Sequence, residues 1–194
     1  MATVKRLCVY CGSSEGRLPA YRAAADHLGR SLADAAIELV YGGGRIGLMG
    51  RVADAVLAGG GRVTGIIPAH LHDQEVGHHG VSELQIVGSM HERKQRMFEM
   101  SDAFAVLPGG LGTLDETFEI ITWKQLSLHD KPVIILDVAG YWAPLIALID
   151  HALDSGFAPL RARGFFTVVD SVEALMQALA ASHEPTLPAE PRLI

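Results

Sequence analysis

Within nine residues, Pro108-Gly109-Gly110-Leu111-Gly112-Thr113-Leu114-Asp115-Glu116, the chain gathers three glycines, a hydroxyl and two carboxylates. Small residues that let a backbone approach a ligand, followed by the unpaired N–H groups and positive dipole end of a helix, make an anion site suited to a phosphate. Glu116 sits one turn inside that helix, so a carboxylate would stand beside a bound phosphate ester. A plainer reading also fits, because Thr113 and Glu116 have the T-x-x-E spacing of a capping box, in which Glu116 only returns a hydrogen bond to the Thr113 amide. Capping, however, does not require Gly109, Gly110 and Gly112. A helix N-terminus would also lower the pKa of Glu116 and keep it ionised, as a group that stabilises positive charge should be.

Cations come from a second stretch, Ser89-Met90-His91-Glu92-Arg93-Lys94-Gln95-Arg96-Met97. Ser89 and Glu92 have capping-box spacing, which accounts for Glu92 structurally. At about 100° per residue Met90, Arg93, Lys94 and Met97 share one face, so two cations interrupt the stripe that should pack inward. Arg93 either snorkels to solvent or meets an anion in a site, and both readings stand at this point.

Other chemistry-bearing groups are weaker candidates. Gly42-Gly43-Gly44-Arg45-Ile46-Gly47 matches G-x-G-x-x-G after a strand, yet the next strand, Arg62 to Ile67, lacks the carboxylate that a dinucleotide ribose needs. Close helix packing or a phosphate-edge contact at Gly43 is the better reading. His70, His72, His78 and His79 crowd a loop from Pro68 to Gly80, but no H-E-x-x-H or helical i, i+4 pair supports a metal site. That loop is long enough to form a wall or lid, with Glu75 in its middle. Cys8 and Cys11 have C-x-x-C spacing, but on a strand, positions three apart face opposite ways, so they read as structural thiols.

The elements that would position these groups alternate between strand and helix. Apolar runs such as Ala103 to Leu107 and Pro132 to Leu136 do not alternate with polar residues, as expected for parallel strands covered on both faces. Strands are expected at Arg6–Cys11, Ile37–Tyr41, Arg62–Ile67, Glu83–Val87, Ala103–Leu107, Pro132–Asp137 and Phe165–Val169. Helices are expected from about Pro19, Met90, Leu114, Tyr141 and Val172, and another after the Gly42 to Gly50 stretch, running to about Ala58. The fold is therefore α/β, a single doubly wound, Rossmann-like three-layer domain over residues 1–181 with a mainly parallel sheet of about seven strands. The Pro-rich remainder, 182–194, is expected to be a disordered tail.

Ligands in such sheets collect beyond the carboxyl ends of the strands, where Gly12-Ser13-Ser14, Gly42 to Gly47 and Pro108 to Thr113 all fall. The formal charge of −6 and the lack of any Lys/Arg-rich run argue against broad binding to nucleic acid or an anionic membrane. With no apolar run of bilayer length, the expectation is a cytoplasmic protein.

Taken together these stretches resemble the Lonely Guy (LOG) family of cytokinin riboside 5'-monophosphate phosphoribohydrolases. Pro108 to Glu116 matches its P-G-G-x-G-T-x-x-E signature, and Met90-His91-Glu92-Arg93-Lys94 matches its second signature. Cys11 to Ser14, Tyr41 to Gly44 and Gly47 to Gly50 are also similar, and the likeness spans about residues 5 to 160. The resemblance implies a hydrolase without metal or cofactor that splits the N-glycosidic bond of an N6-substituted AMP, or of AMP, into free base and ribose 5-phosphate. It implies Arg93 and Glu116 as the catalytic pair, with Ser14, Gly43, Glu75, Met90, Lys94, Gly109, Gly110, Gly112, Thr113, Asp115 and Thr122 binding the nucleoside 5'-monophosphate. It also implies a homodimer. Plant members often have two glutamates where this chain has Asp115-Glu116. Two other classes fit the same fold. One is a non-catalytic nucleotide or molybdenum-cofactor binding protein; the other is a lysine decarboxylase, for which Lys94, Lys124 and Lys131 offer no pyridoxal phosphate context.

Overall fold

A computed structural model describes residues 4–75 and 77–182, apart from the side chains of 73–75. Its centre is β1 (Arg6–Tyr10), whose last four residues are all buried, so the strand has no solvent face. Beside it run β2 (Glu38–Tyr41), β3 (Val63–Pro68) and β4 (Glu83–Val87) on one side. On the other run β5 (Ala103–Val106), β6 (Val133–Leu136) and β7 (Thr167–Val169). The order is β4-β3-β2-β1-β5-β6-β7, and every pairing is parallel. The chain thus winds outward in both directions from β1, and the order reverses between β1 and β5, the point where sheets of this kind hold ligands.

Helices cover both faces, as the unalternating strands require. One face packs against α1 (Pro19–Asp34), α2 (Gly47–Ala58) and α7 (Val172–Ala181), through residues such as Leu28, Val52 and Leu175. The other packs against α4 (Met90–Glu99), α5 (Leu111–Gln125) and α6 (Ala143–Asp154), through Phe98, Ile120 and Leu145. Cys11 belongs to the first core and Cys8 to the second, so the two buried thiols do face opposite ways. On the second face Phe98 of α4 stacks on Phe104 of β5, with centroids 6.0 Å apart, and Met97 and Phe98 are fully buried. That anchor fixes α4 to the sheet and so fixes Arg93, about one turn earlier.

Several boundaries differ from expectation. The segment read as a loop from Pro68 to Gly80 contains a short helix, α3 (Ala69–Glu75), because Ala69 to Glu75 holds neither glycine nor proline. Helix α5 begins at Leu111 instead of Leu114, with Gly110 as its N-cap. The stretch before α6 is a 3-10 turn over Val138–Gly140, and β7 starts at Thr167 instead of Phe165. The tail beyond Ser182 lies outside the described residues.

Candidate active site

The early start of α5 decides the chemistry of its first turn. Gly110 has extended backbone (φ −96°, ψ −152°) and no side chain caps the helix. The Thr113–Glu116 capping box is therefore not formed: Thr113 is the third residue of the helix instead of its cap. The N–H groups of Leu111, Gly112 and Thr113 have no intrahelical carbonyl four residues back and stand available to an anion. Gly109 is needed for close approach, since a Cβ there would overlap the Thr113 side chain.

Glu116 is the sixth residue of α5 and is only 7% exposed. Its Oε1 lies 3.4 Å from Nη1 of Arg93. Arg93 in turn donates from Nε to the Ile66 carbonyl (3.2 Å) and from Nη2 to the Gly42 carbonyl (3.4 Å). The arginine therefore does not snorkel: it is held by the carboxyl ends of β2 and β3 and aimed across the crevice at α5. Gly42 makes room for it, because a Cβ at that position would sit on the guanidinium. The last glycine of the G-x-G-x-x-G run serves packing, since a Cβ at Gly47 would overlap the Ser13 backbone; three residues further on, one at Gly50 would overlap the Arg45 carbonyl.

Electrostatics at Glu116 run opposite to the expectation from helix polarity. Its pKa is pushed up to about 7, first by burial, with Arg93 pulling it down and Asp115 adding to the rise. The dipole acts chiefly in the first turn, and Glu116 lies a turn beyond it, so desolvation wins. A neighbouring cluster joins the same two helices. Lys94 Nζ donates to Asp115 Oδ2 (3.2 Å) and to Glu119 Oε1 (3.0 Å). Burial lowers the Lys94 pKa, but the bonds to Glu119 and Asp115 outweigh it and the net shift is upward.

Arg93 and Glu116 line a cavity of about 260 Å³ together with Met90, Gly110, Gly112 and Thr113. Met49, Leu71 and Leu111 add an apolar wall that sequence reasoning did not single out. Ser14 and Gly109 line an adjoining cavity of about 230 Å³ with Tyr21 and Tyr141, and Gly110 borders both. A larger cavity, about 540 Å³, lies between α1 and α2, away from Arg93 and Glu116, and its Arg51 is already paired with Asp26 and Glu15.

Other predicted positions fall elsewhere. Gly43 lines neither cavity; its φ of +75° and a carbonyl that accepts from the His78 amide make it a turn residue. Asp115 is exposed and engaged by Lys94. Thr122 is exposed on α5, six residues past Glu116, or about 9 Å further along the helix. The Glu75 side chain lies outside the described residues. Among the histidines, His78 pairs with Asp54 at 2.9 Å, and His72 stacks edge-on with His79. Glu119 was missed although it stands four residues after Asp115 on one helix face, a readable signal.

Residues 49–179 match the family described as "Possible lysine decarboxylase". A cytokinin riboside 5'-monophosphate phosphoribohydrolase of Arabidopsis thaliana is 46% identical over 181 residues, 93% of this chain and 83% of that one. A second from the same plant is 47% identical over 175 residues, 90% of this chain and 82% of that one. Among solved structures, the molybdenum cofactor binding protein of Rippkaea orientalis aligns with a TM-score of 0.69 over 93% of this chain and 98% of that chain. At 20% identity this likeness is one of fold. With nearly half its residues shared with phosphoribohydrolases across most of its length, the chain belongs to the Lonely Guy family.

Proposed function

We propose that the chain hydrolyses the N-glycosidic bond of cytokinin riboside 5'-monophosphates and of AMP, releasing the free base and ribose 5-phosphate, within a single domain over residues 1–181. The Arg93–Glu116 pair, 3.4 Å apart in a cavity that opens on the N-terminus of α5, is the observation that carries this reading. The 5'-phosphate would rest on the N–H groups of Gly110 to Thr113 and on the Thr113 hydroxyl. Its binding energy would place the anomeric carbon about one turn deeper, at Glu116.

Breaking that C–N bond develops oxocarbenium charge on the ribose, which a close carboxylate stabilises. The same carboxylate can orient or deprotonate the attacking water. A pKa near 7 suits that base role at neutral pH, because a sizeable fraction is ionised while its basicity stays high. Arg93 holds the carboxylate in place and offsets part of its desolvation. Met90 and the apolar wall of Met49, Leu71 and Leu111 would face the base. Lysine decarboxylation is disfavoured by the lysines themselves: Lys94 is paired with two acids, Lys124 Nζ donates to the Lys131 carbonyl, and Lys131 Nζ donates to that of Phe98.

A homodimer is part of the proposal. Leu111 (86% exposed) and Phe118 on α5 and Leu126 at its C-cap are exposed apolar residues, on the helix that also exposes Thr122. A cytoplasmic location fits two free cysteines, and no helix among the described residues is long and apolar enough to cross a membrane. Release of free adenine from AMP by the purified protein tests the activity.

A further inference from the structure

We propose that Tyr141 is a positioning residue for the substrate phosphate, acting through the Gly109–Gly110 peptide. The inference rests on the phosphate lying at the N-terminus of α5. The Tyr141 hydroxyl donates to the Gly109 carbonyl oxygen at 2.5 Å, from the side of the cavity that Tyr141, Tyr21 and Ser14 line. In a planar trans peptide the C=O and the following N–H point in opposite directions. Holding the Gly109 oxygen toward Tyr141 therefore directs the Gly110 N–H the other way. Gly12, Ser13 and Gly110 line both cavities, and the side of Gly110 away from Tyr141 is the cavity that Arg93, Thr113 and Glu116 line.

This lock matters because two successive glycines resist rotation weakly. A half-turn of the Gly109–Gly110 peptide would replace a donor with a carbonyl oxygen at the rim of the anion site, and an oxygen facing a phosphate repels it. Tyr141 is itself held firmly. Its ring meets Tyr21 edge-on at 5.5 Å and Trp142 at 4.8 Å, and its amide donates to the Val138 carbonyl. The turn that delivers it is unusual: Ala139 has φ +54° and Gly140 φ +73°, and the Trp142 amide is fastened to Asp137 Oδ1 at 2.6 Å. A left-handed alanine is costly, and it persists only where the surrounding contacts dictate the path of the chain. Here that path ends with a hydroxyl on the phosphate turn.

Tyr141→Phe keeps the ring and removes only the hydroxyl. Three quantities are measured on wild type and variant: the Kd of inorganic phosphate, kcat and KM for AMP, and the melting temperature. The expected result is a Kd for phosphate and a KM for AMP each raised about tenfold, the worth of one hydrogen bond, with kcat and melting temperature unchanged. An unchanged phosphate Kd overturns the proposal, as does a fall in melting temperature with kcat and KM moving together, which is the signature of packing alone. If wild type releases no base from AMP, the assignment of activity fails, and the phosphate Kd still decides the role of Tyr141.

Discussion

Replacing Glu116 with glutamine should make the protein inactive and, at high pH, more stable. The folded pKa of about 7 lies above the ordinary value of 4.5, so folding favours the protonated acid. Below about pH 4.5 folded and unfolded chains both carry the proton and nothing is lost. Between about pH 4.5 and 7 the unfolded chain gives up this proton while the folded one keeps it, so stability declines across that window and levels off once the buried group ionises above about 7. A gap of about 2.5 pH units at about 1.36 kcal/mol each gives on the order of 3 kcal/mol. Glutamine, with nearly the same shape, escapes this loss. Relative to wild type, Glu116→Gln should therefore gain about 3 kcal/mol between about pH 5 and about pH 8, or about 6–12 °C in melting temperature for a chain of this size. Thermal melts of both proteins across that range, followed by circular dichroism, measure it. A constant offset between the two proteins over the whole range would refute the assignment of a desolvated Glu116, whatever the variant's activity.

Other outcomes follow from the same geometry. Gly42→Ala places a methyl group where the Arg93 guanidinium sits, so kcat should fall about 100-fold while the fold is retained; full activity would show that the placement of Arg93 is not needed. Lys94→Met leaves Asp115 and Glu119 facing each other without a cation, and a loss of about 1 kcal/mol in denaturant unfolding is expected. Unchanged stability with a raised KM would mean instead that Lys94 serves the substrate directly. Phe118→Glu should convert the proposed dimer to monomer in light scattering; a monomeric wild type would remove the dimer altogether.

Strand content was readable because parallel strands covered on both faces carry no polar alternation, as in Val133 to Leu136. The pairing of Arg93 with Glu116 was half readable: a cation on an apolar helix face and an acid behind a glycine turn each asked for a partner, but their separation of 23 residues hid that they are each other's. The start of α5 was misplaced because Gly110 and Gly112 look like loop, whereas a glycine N-cap with an exposed Leu111 costs little at a helix end. The pKa of Glu116 was misjudged for a related reason, since polarity along a helix is visible in sequence and burial by a neighbouring helix is not. Helix α3 is hard to read because histidines give it no apolar periodicity, and Tyr141 carries no signal because its contact with Gly109 spans 32 residues and runs through a backbone oxygen. Long-range contacts of side chain to backbone leave no periodicity to read.

The most direct test of the account is the chemistry of a single cavity. Purified protein and its Glu116→Gln variant are incubated with AMP and with an N6-substituted AMP, and free base and ribose 5-phosphate are quantified by chromatography. The wild type should yield equal amounts of both products, and the variant none above background while still binding AMP. Base release by Glu116→Gln at the wild-type rate would contradict the account, as would a wild type that binds both nucleotides and cleaves neither.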